Sequence, residues 1–484
     1  MNTPHCSTSS VRRRSTIRRF GFQRFEFLST ARVLLLGILT FAAGCCIDPV
    51  NGDRYFCLSE LSDVEEGRLG ESYAPNFVAE FGGEYPDPDL HAYLDEIVID
   101  RMALKSHRPD LPWRFRILNT SQINAFALPG GQVFVTRGLL AKLQTEAQFA
   151  HLMGHEIGHV SHKHSSRGQG RALLFGILLG VVGELEAELS DAEFPLATTT
   201  LGIAGQLTLL RFSRDQELES DALGVDYAVS AGYDPRRGTD TFRLFLSLKQ
   251  EAGQGESFID GLLSTHPLDS TRIEEIEGYI SDNYPGIESR DLTVSGPRWQ
   301  NMIAGVRRAQ GAYDEYDVAA RLIAEVQQGE GSEASLDEAE ERLRRGMRQL
   351  PGHAPFPLGL AFVELAREDT RRALTHADRA VTLDPDLYGA RVLRGKLQLD
   401  LGRAQAAIPD LEAAQQLFPF NPQPFLYRGQ AAEALGDVSG AIAAYEATLE
   451  RVAEGTEIHT RARQRLEALR GGGQSAPAAA APTR

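Results

Sequence analysis

His155-Glu156-Ile157-Gly158-His159 places two imidazoles four residues apart. On a helix that spacing puts both rings on one face, about 6 Å apart along the axis and rotated by roughly 40°. Two such rings can hold one metal ion from one side, and Glu156 is placed to reach a water beside it. These residue types at this spacing point to a metal-activated water with a carboxylate base, the chemistry of a metallopeptidase. The chain has 12 His among 484 residues. At that frequency the pentapeptide arises by chance only a few times in about a hundred such chains.

The elements around it must position the pair. Thr145 precedes a predicted helix over 146–160, in which Phe149, Leu152, Met153, Ile157 and Val160 recur at helical spacing. The pair therefore lies on a mostly buried helix, where unpaired imidazoles would be costly. Catalytic zinc takes three protein ligands and leaves a fourth place for water. The next candidates stand in a second predicted helix, around Glu217, Glu219 and Asp221. Glu217 and Asp221 are four residues apart and share a face. Glu217 can bind a metal while Asp221 orients a ligand histidine. Spacing alone does not choose between Glu217 and Glu219. His151 lies one turn before His155; it, His162 and His164 read as structural or solvated.

Three segments occur in order: Asn124-Ala125-Phe126-Ala127-Leu128-Pro129-Gly130-Gly131-Gln132-Val133-Phe134-Val135, then 155–159, then Glu217-Leu218-Glu219-Ser220-Asp221. Together they resemble the CaaX-prenyl-protease-like and HtpX-like zinc metallopeptidases, and most of all the periplasmic members that join such a domain to tetratricopeptide repeats and serve β-barrel assembly. The resemblance covers residues 47–280 and the repeats. It implies a zincin-like (gluzincin) domain with a small sheet and one Zn²⁺ per chain. His155, His159 and Glu217 are the implied metal ligands, and Glu156 the implied general base. Asp221 is implied as the second catalytic carboxylate, acting as proton donor or as the group that orients a ligand. Ser220 stands where the family usually has Ala. Ser264-Thr265-His266-Pro267 is similar to the family's S-x-H-P motif. The resemblance implies His266 as a latent fourth ligand; the alternative is a histidine that only caps or packs its loop. Val133 to Thr136, after a Pro-Gly-Gly turn, reads as a strand beside the site. An unfolded peptide can add to such an edge as a further strand, and the resemblance gives that work to the segment from Asn124 to Val135.

Residues 1–44 read as an export signal. Seven Arg lead into a short apolar run, Val33 to Ala43, and Ala42-Ala43-Gly44-Cys45 resembles a lipoprotein processing site. The run is too short to span a bilayer comfortably. Removing these residues, which hold seven Arg and one Glu, takes the net charge from −16 to −22. That acidity excludes nucleic acid as a partner. It suits an exported protein in the periplasm, held at the outer membrane by lipid on Cys45. Cys46 and Cys57 either pair in an oxidising compartment or remain thiols. Arg171 to Val182 is apolar nearly all round and too short to span. It reads as buried core or as a helix touching membrane.

Beyond the Pro- and Gly-containing stretch 285–297, small residues repeat at a step of 34: Ala339, Ala373, Ala407 and Ala441, then Ala361, Gly395 and Gly429, with Pro351, Pro385 and Pro419 between. This is the tetratricopeptide period, and it predicts an α-solenoid over 300–470. Residues 471–484 read as a disordered tail. The expected fold class is α+β, mostly helical: a peptidase domain over 47–280, then the repeats. The expected function is a zinc endopeptidase of misfolded or stalled envelope proteins, its repeats holding client or the outer-membrane assembly machinery. Two rivals stand beside it: a chaperone or scaffold with a latent zinc site, and a zinc hydrolase acting on something other than peptide.

Overall fold

The computed structural model describes residues 44–57, 61–167, 211–252, 259–267 and 270–471. The expected export signal before residue 44, the apolar run Arg171 to Val182 and the tail beyond 471 lie outside them. The described chain is mostly helical, with a two-stranded hairpin and one three-stranded sheet. Among the described residues, no helix is long and apolar enough to cross a membrane.

A short hairpin opens the chain, β1 (Gly44–Ile47) against β2 (Arg54–Cys57). Cys46 is disulfide-bonded, and the strand opposite carries Cys57. Helix α1 (Asp63–Glu80) starts at a Ser62–Glu65 capping box. Helix α2 (Pro88–Asp95) continues into a π-helical turn, Glu96–Met102. The sheet has the order β3 (Arg114–Leu118), β5 (Gln132–Thr136), β4 (Ala125–Leu128). β3 runs parallel to β5 and β4 antiparallel. The turn Pro129-Gly130-Gly131 needs φ of 76° and 88° at its two glycines, which only Gly adopts at no steric cost. It folds β4 back so that Leu128 faces Gln132. The strand expected at 133–136 is therefore the central one, with both sides paired. Its neighbours β3 and β4 are the two outer strands. The sequence showed the turn but not that β3 would close the other side.

After α3 (Arg137–Lys142) comes α4 (Glu146–Ser161), capped by Thr145, whose side chain accepts from Gln148 N–H. Every residue of α4 is buried. Then follow α5 (Arg214–Ser230), α6 (Arg237–Ala252), the short α7 (Asp260–Thr265) and α8 (Ser270–Asn283). One apolar core joins the sheet, α4 and α5.

The C-terminal array begins with the long α9 (Pro297–Gln327). It pairs with α10 (Glu333–Gln349), and three more helix pairs follow: α11 (Pro355–Ala366) with α12 (Thr370–Leu383), α13 (Tyr388–Asp400) with α14 (Ala404–Leu417), and α15 (Gln423–Ala434) with α16 (Val438–Leu449); α17 (Glu457–Gly471) closes the array. The small residues of the 34-residue period sit where helices cross. A Cβ on Gly395 would lie 2.9 Å from Leu411, and one on Gly429 2.5 Å from the Tyr445 ring.

The array is not tethered by a free linker. Trp299, Ile303 and Val306 of α9 belong to the peptidase core, while Ala319 and Ile323 belong to that of the array. Glu146, at the start of α4, accepts from Gly296 N–H at 2.9 Å and from Tyr233 O–H at 2.8 Å. The Arg137 guanidinium lies 3.7 Å from the Tyr313 ring centroid. Trp299 is fully buried. Trp299→Ala should cost about 3–5 kcal/mol and should lower the unfolding midpoint of the peptidase part itself, followed by the near-UV signal and by proteolysis within 61–167. An unchanged midpoint there would show that the two parts fold independently.

Candidate metal centre

Helices α4 and α5 meet through matching stripes. On α4 the stripe is His151, Gly154, His155, Gly158; on α5 it is Glu217, Ser220, Asp221, Gly224. Each follows the i, i+3, i+4, i+7 spacing of one helical face. The small residues let the backbones touch. A Cβ on Gly158 would lie 3.1 Å from Ser220 Cα, and one on Gly224 3.1 Å from the His151 carbonyl oxygen. That close approach carries Glu217 to the histidine pair.

The donor atoms converge. His155 Nε2 and His159 Nε2 lie 3.0 Å apart. Glu217 Oε2 is 3.7 Å from His155 Nε2, and Oε1 is 3.5 Å from His159 Nε2. His266 closes the group, with Nδ1 3.0 Å from Glu217 Oε1 and 3.4 Å from His155 Nε2. Around tetrahedral zinc with ligands at 2.0–2.1 Å, neighbouring donors stand about 3.3 Å apart. The measured spacings bracket that value, so the set of three imidazoles and one carboxylate fits one zinc ion. All four side chains are buried.

Glu156 faces the same space. It is 1 % exposed, and neither of its oxygens has a hydrogen-bond partner. The nearest ionisable group is His266 Nε2, 3.6 Å from Oε1. Burial raises this carboxyl above the usual range, against the smaller opposing pull of His266 and His155. An orphaned buried carboxylate beside a donor cage is costly as a structural element and is what a general base requires.

Asp221 does not face the cage. Its Oδ1 lies 2.8 Å from His155 Nδ1, and Arg272 takes both oxygens, Nη2 at 2.7 Å and Nε at 2.8 Å. Of its two implied roles, this geometry suits the positioning one. Burial would raise it, but Arg272 and His155 bring it below the ordinary range. Glu217 is likewise pushed up by burial and carried well below by His266 and Arg272. For His266, burial pushes down while Glu217 and Glu156 outweigh it, so the imidazole is raised.

Glu219 points the other way. It meets His164 Nε2 at 3.0 Å, with its side chain 36 % exposed. His151 is buried against Phe242 and Gly238, and burial lowers it to about 4. His162 Nδ1 pairs with Asp48 at 2.8 Å. His164 contacts the outer nitrogen of His159.

Two partners of the site escaped the sequence reading. Phe212 stacks on the His159 ring at 3.8 Å and 20°. Arg272 is 2 % exposed and sets Nη1 2.5 Å from Glu217 Oε2; the same nitrogen donates to Pro267 O at 3.1 Å. It so ties both carboxylates to the loop that carries His266. The available signal was its spacing: Arg272, Ile276 and Ile280 recur every four residues on the apolar side of α8. Arg272→Met would leave two buried carboxylates without their cation. In EDTA-treated protein it should cost about 3–5 kcal/mol, measured by urea denaturation, and added zinc should recover part of the loss. A midpoint equal to wild type would mean that Arg272 is not the compensating charge.

Residues 88–280 match the model of peptidase family M48, and residues 358–422 and 392–456 match a tetratricopeptide-repeat model. The chain is 27 % identical over 368 residues to the β-barrel assembly-enhancing protease of Escherichia coli K12, covering 72 % of this chain and 71 % of that one. It is 30 % identical over 198 residues to a putative β-barrel assembly-enhancing protease of Vibrio cholerae, 39 % of each chain. It is 27 % identical over 272 residues to the mitochondrial metalloendopeptidase OMA1 of Schizosaccharomyces pombe, 56 % of this chain and 76 % of that one.

Proposed function

From the membership of residues 88–280 in peptidase family M48, we propose that the chain is an exported zinc endopeptidase that cleaves misfolded or stalled envelope proteins, held in the periplasm at the outer membrane by lipid on Cys45. One observation carries the catalytic part. His155 Nε2, His159 Nε2 and the Glu217 carboxylate come together from two helices with spacings that fit one zinc, beside the orphaned Glu156. The relatives named as β-barrel assembly-enhancing proteases support the envelope setting. So do the apolar run ending at Cys45 and a disulfide-bonded Cys46, which suits an oxidising compartment.

In this reading His155, His159 and Glu217 hold the ion. Bound there, zinc lowers the pKa of water to about 7 and polarises the scissile carbonyl. Glu156 takes the proton of the attacking water and hands it to the leaving amine. Its burial favours the protonated form it must adopt between those steps. Asp221 fixes the tautomer and orientation of His155. A substrate peptide can extend β4, one of the two outer strands of the sheet, by backbone pairing.

His266 is the latch. Its Nδ1 takes the corner of the cage where water belongs, and its Nε2 faces the base. The resting enzyme is latent until the loop at 266–267 withdraws. The repeats hold client or assembly machinery. Between α10, α11 and α12 they form an open, charged cleft of about 430 Å³, lined by Glu340, Arg344, Glu364, Arg367 and Arg372.

Casein digestion with parallel zinc analysis tests this. Wild type should carry one zinc per chain. Glu156→Gln should retain the metal and lose about 10²–10⁴-fold in rate. His266→Ala should raise the rate above wild type. Zinc content without cleavage, even in His266→Ala, would favour a chaperone or scaffold instead.

A further inference from the structure

His164 is a buried imidazole that the mechanism above leaves unused. Its contacts fix more than packing. To present Nε2 to a metal, a neutral His159 must carry its proton on Nδ1. That Nδ1 lies 2.9 Å from His164 Nδ1, which must therefore accept. A ring that accepts through Nδ1 carries its own proton on Nε2. His164 Nε2 lies 3.0 Å from Glu219 Oε2, a carboxylate oxygen that can take it. The hydrogen bonds run in one direction, from ligand to imidazole to carboxylate. Ser220 Oγ, 3.3 Å from the same His164 Nδ1, can only donate there.

The ring has no freedom to leave. Its side chain is fully buried. It stacks on His162 at 5.0 Å and 3°, and His162 is itself pinned to Asp48. Lys163, between the two histidines, adopts the left-handed conformation at φ 58°, a cost accepted where the surroundings dictate it. That turn brings His164 back under the end of α4.

We propose that His164 and Glu219 are positioning residues of the metal centre, holding His159 in the tautomer and orientation that present Nε2, as Asp221 does for His155. The proposal rests on the zinc reading of the 155–159–217 site. A competing use exists, since donors of His162, His164 and Glu219 also lie within 4.8 Å of one another and could hold a second cation. That use needs a bare His164 Nε2 and so moves the His164 proton to Nδ1. Two N–H groups would then face each other across the contact with His159, so an ion on His159 disfavours one on His164.

Zinc affinity by chelator competition decides, with EDTA-treated proteins melted in parallel as a check on folding. The variants are His164→Leu, His164→Asn and Glu219→Ala. Asn keeps an oxygen acceptor about where Nδ1 stands; Leu fills the space without one. His164→Leu should weaken zinc about ten- to a hundredfold, with His164→Asn recovering most of the loss and Glu219→Ala falling between. Glu219 is half-exposed, so its variant keeps the test open should His164→Leu fail to fold. Wild-type affinity in His164→Leu or Glu219→Ala overturns the proposal. So does equal weakening in Asn and Leu, which would reduce His164 to packing. Two zinc ions per wild-type chain, one lost in His162→Ala, would replace it with the second-cation site. No zinc on wild type at all would sink the underlying metal reading, and the proposal with it.

Discussion

The close contact of α4 with α5 is the constraint from which the rest follows. Glu217, Asp221, Glu156 and three imidazoles are all buried within a few ångströms. Charges in that setting are expensive unless each finds a partner. The partners exist only at one separation of the helices, where Gly154 and Gly158 meet Ser220 and Gly224. At Gly154, Gly158 or Gly224 even a Cβ would lie 3.1 Å from the facing helix, so a longer side chain there would press Glu217 away from His155. Helix spacing, charge balance and metal geometry are thus one condition rather than three.

Around that contact, each donor is held from outside by a different element. Asp221 on α5 holds His155. Arg272 on α8 holds Glu217 and Asp221 together. Phe212 covers the His159 ring. In the proposed reading the turn after α4 holds His159 through His164. A cage built this way is preorganised, because no donor must search for its rotamer when an ion arrives. In the proposed reading it also couples the latch loop to the charge balance of the cage. Pro267 is tied to Arg272, so displacing His266 disturbs the same guanidinium that neutralises the ligand carboxylate.

Much of the site was legible because its signals are local. The His155–His159 pair, the Thr145 cap and the buried face of α4 all lie within one helix, and the structure shows that helix over 146–161. Glu217 against Glu219 was not decided by spacing, because both sit on α5 and the choice depends on which face meets α4. The deciding mark was present unread: Ser220 and Gly224 put the small stripe on the side of Glu217, about 200° round the helix from Glu219. The repeats were legible from a period of 34 residues, each unit being a local helix pair. The sheet was only partly so. The Pro-Gly-Gly hairpin is a local signal, but the parallel pairing of β3 with β5 crosses the hairpin and leaves no short-range trace. Arg272 was missed for the same reason, as its contact with Asp221 joins residues 51 positions apart through folded space.

The union of peptidase and array bears on how a bound client would reach the site. A flexible linker would set an effective concentration that falls as the chain lengthens. Here α9 is shared by both cores, and the array curls back so that Phe420 stacks on Tyr73 of α1 at 4.9 Å and 7°. Glu146 ties the start of α4 to the segment that opens α9. A client held by the repeats is therefore presented at a fixed distance and angle to β4 and the metal cage.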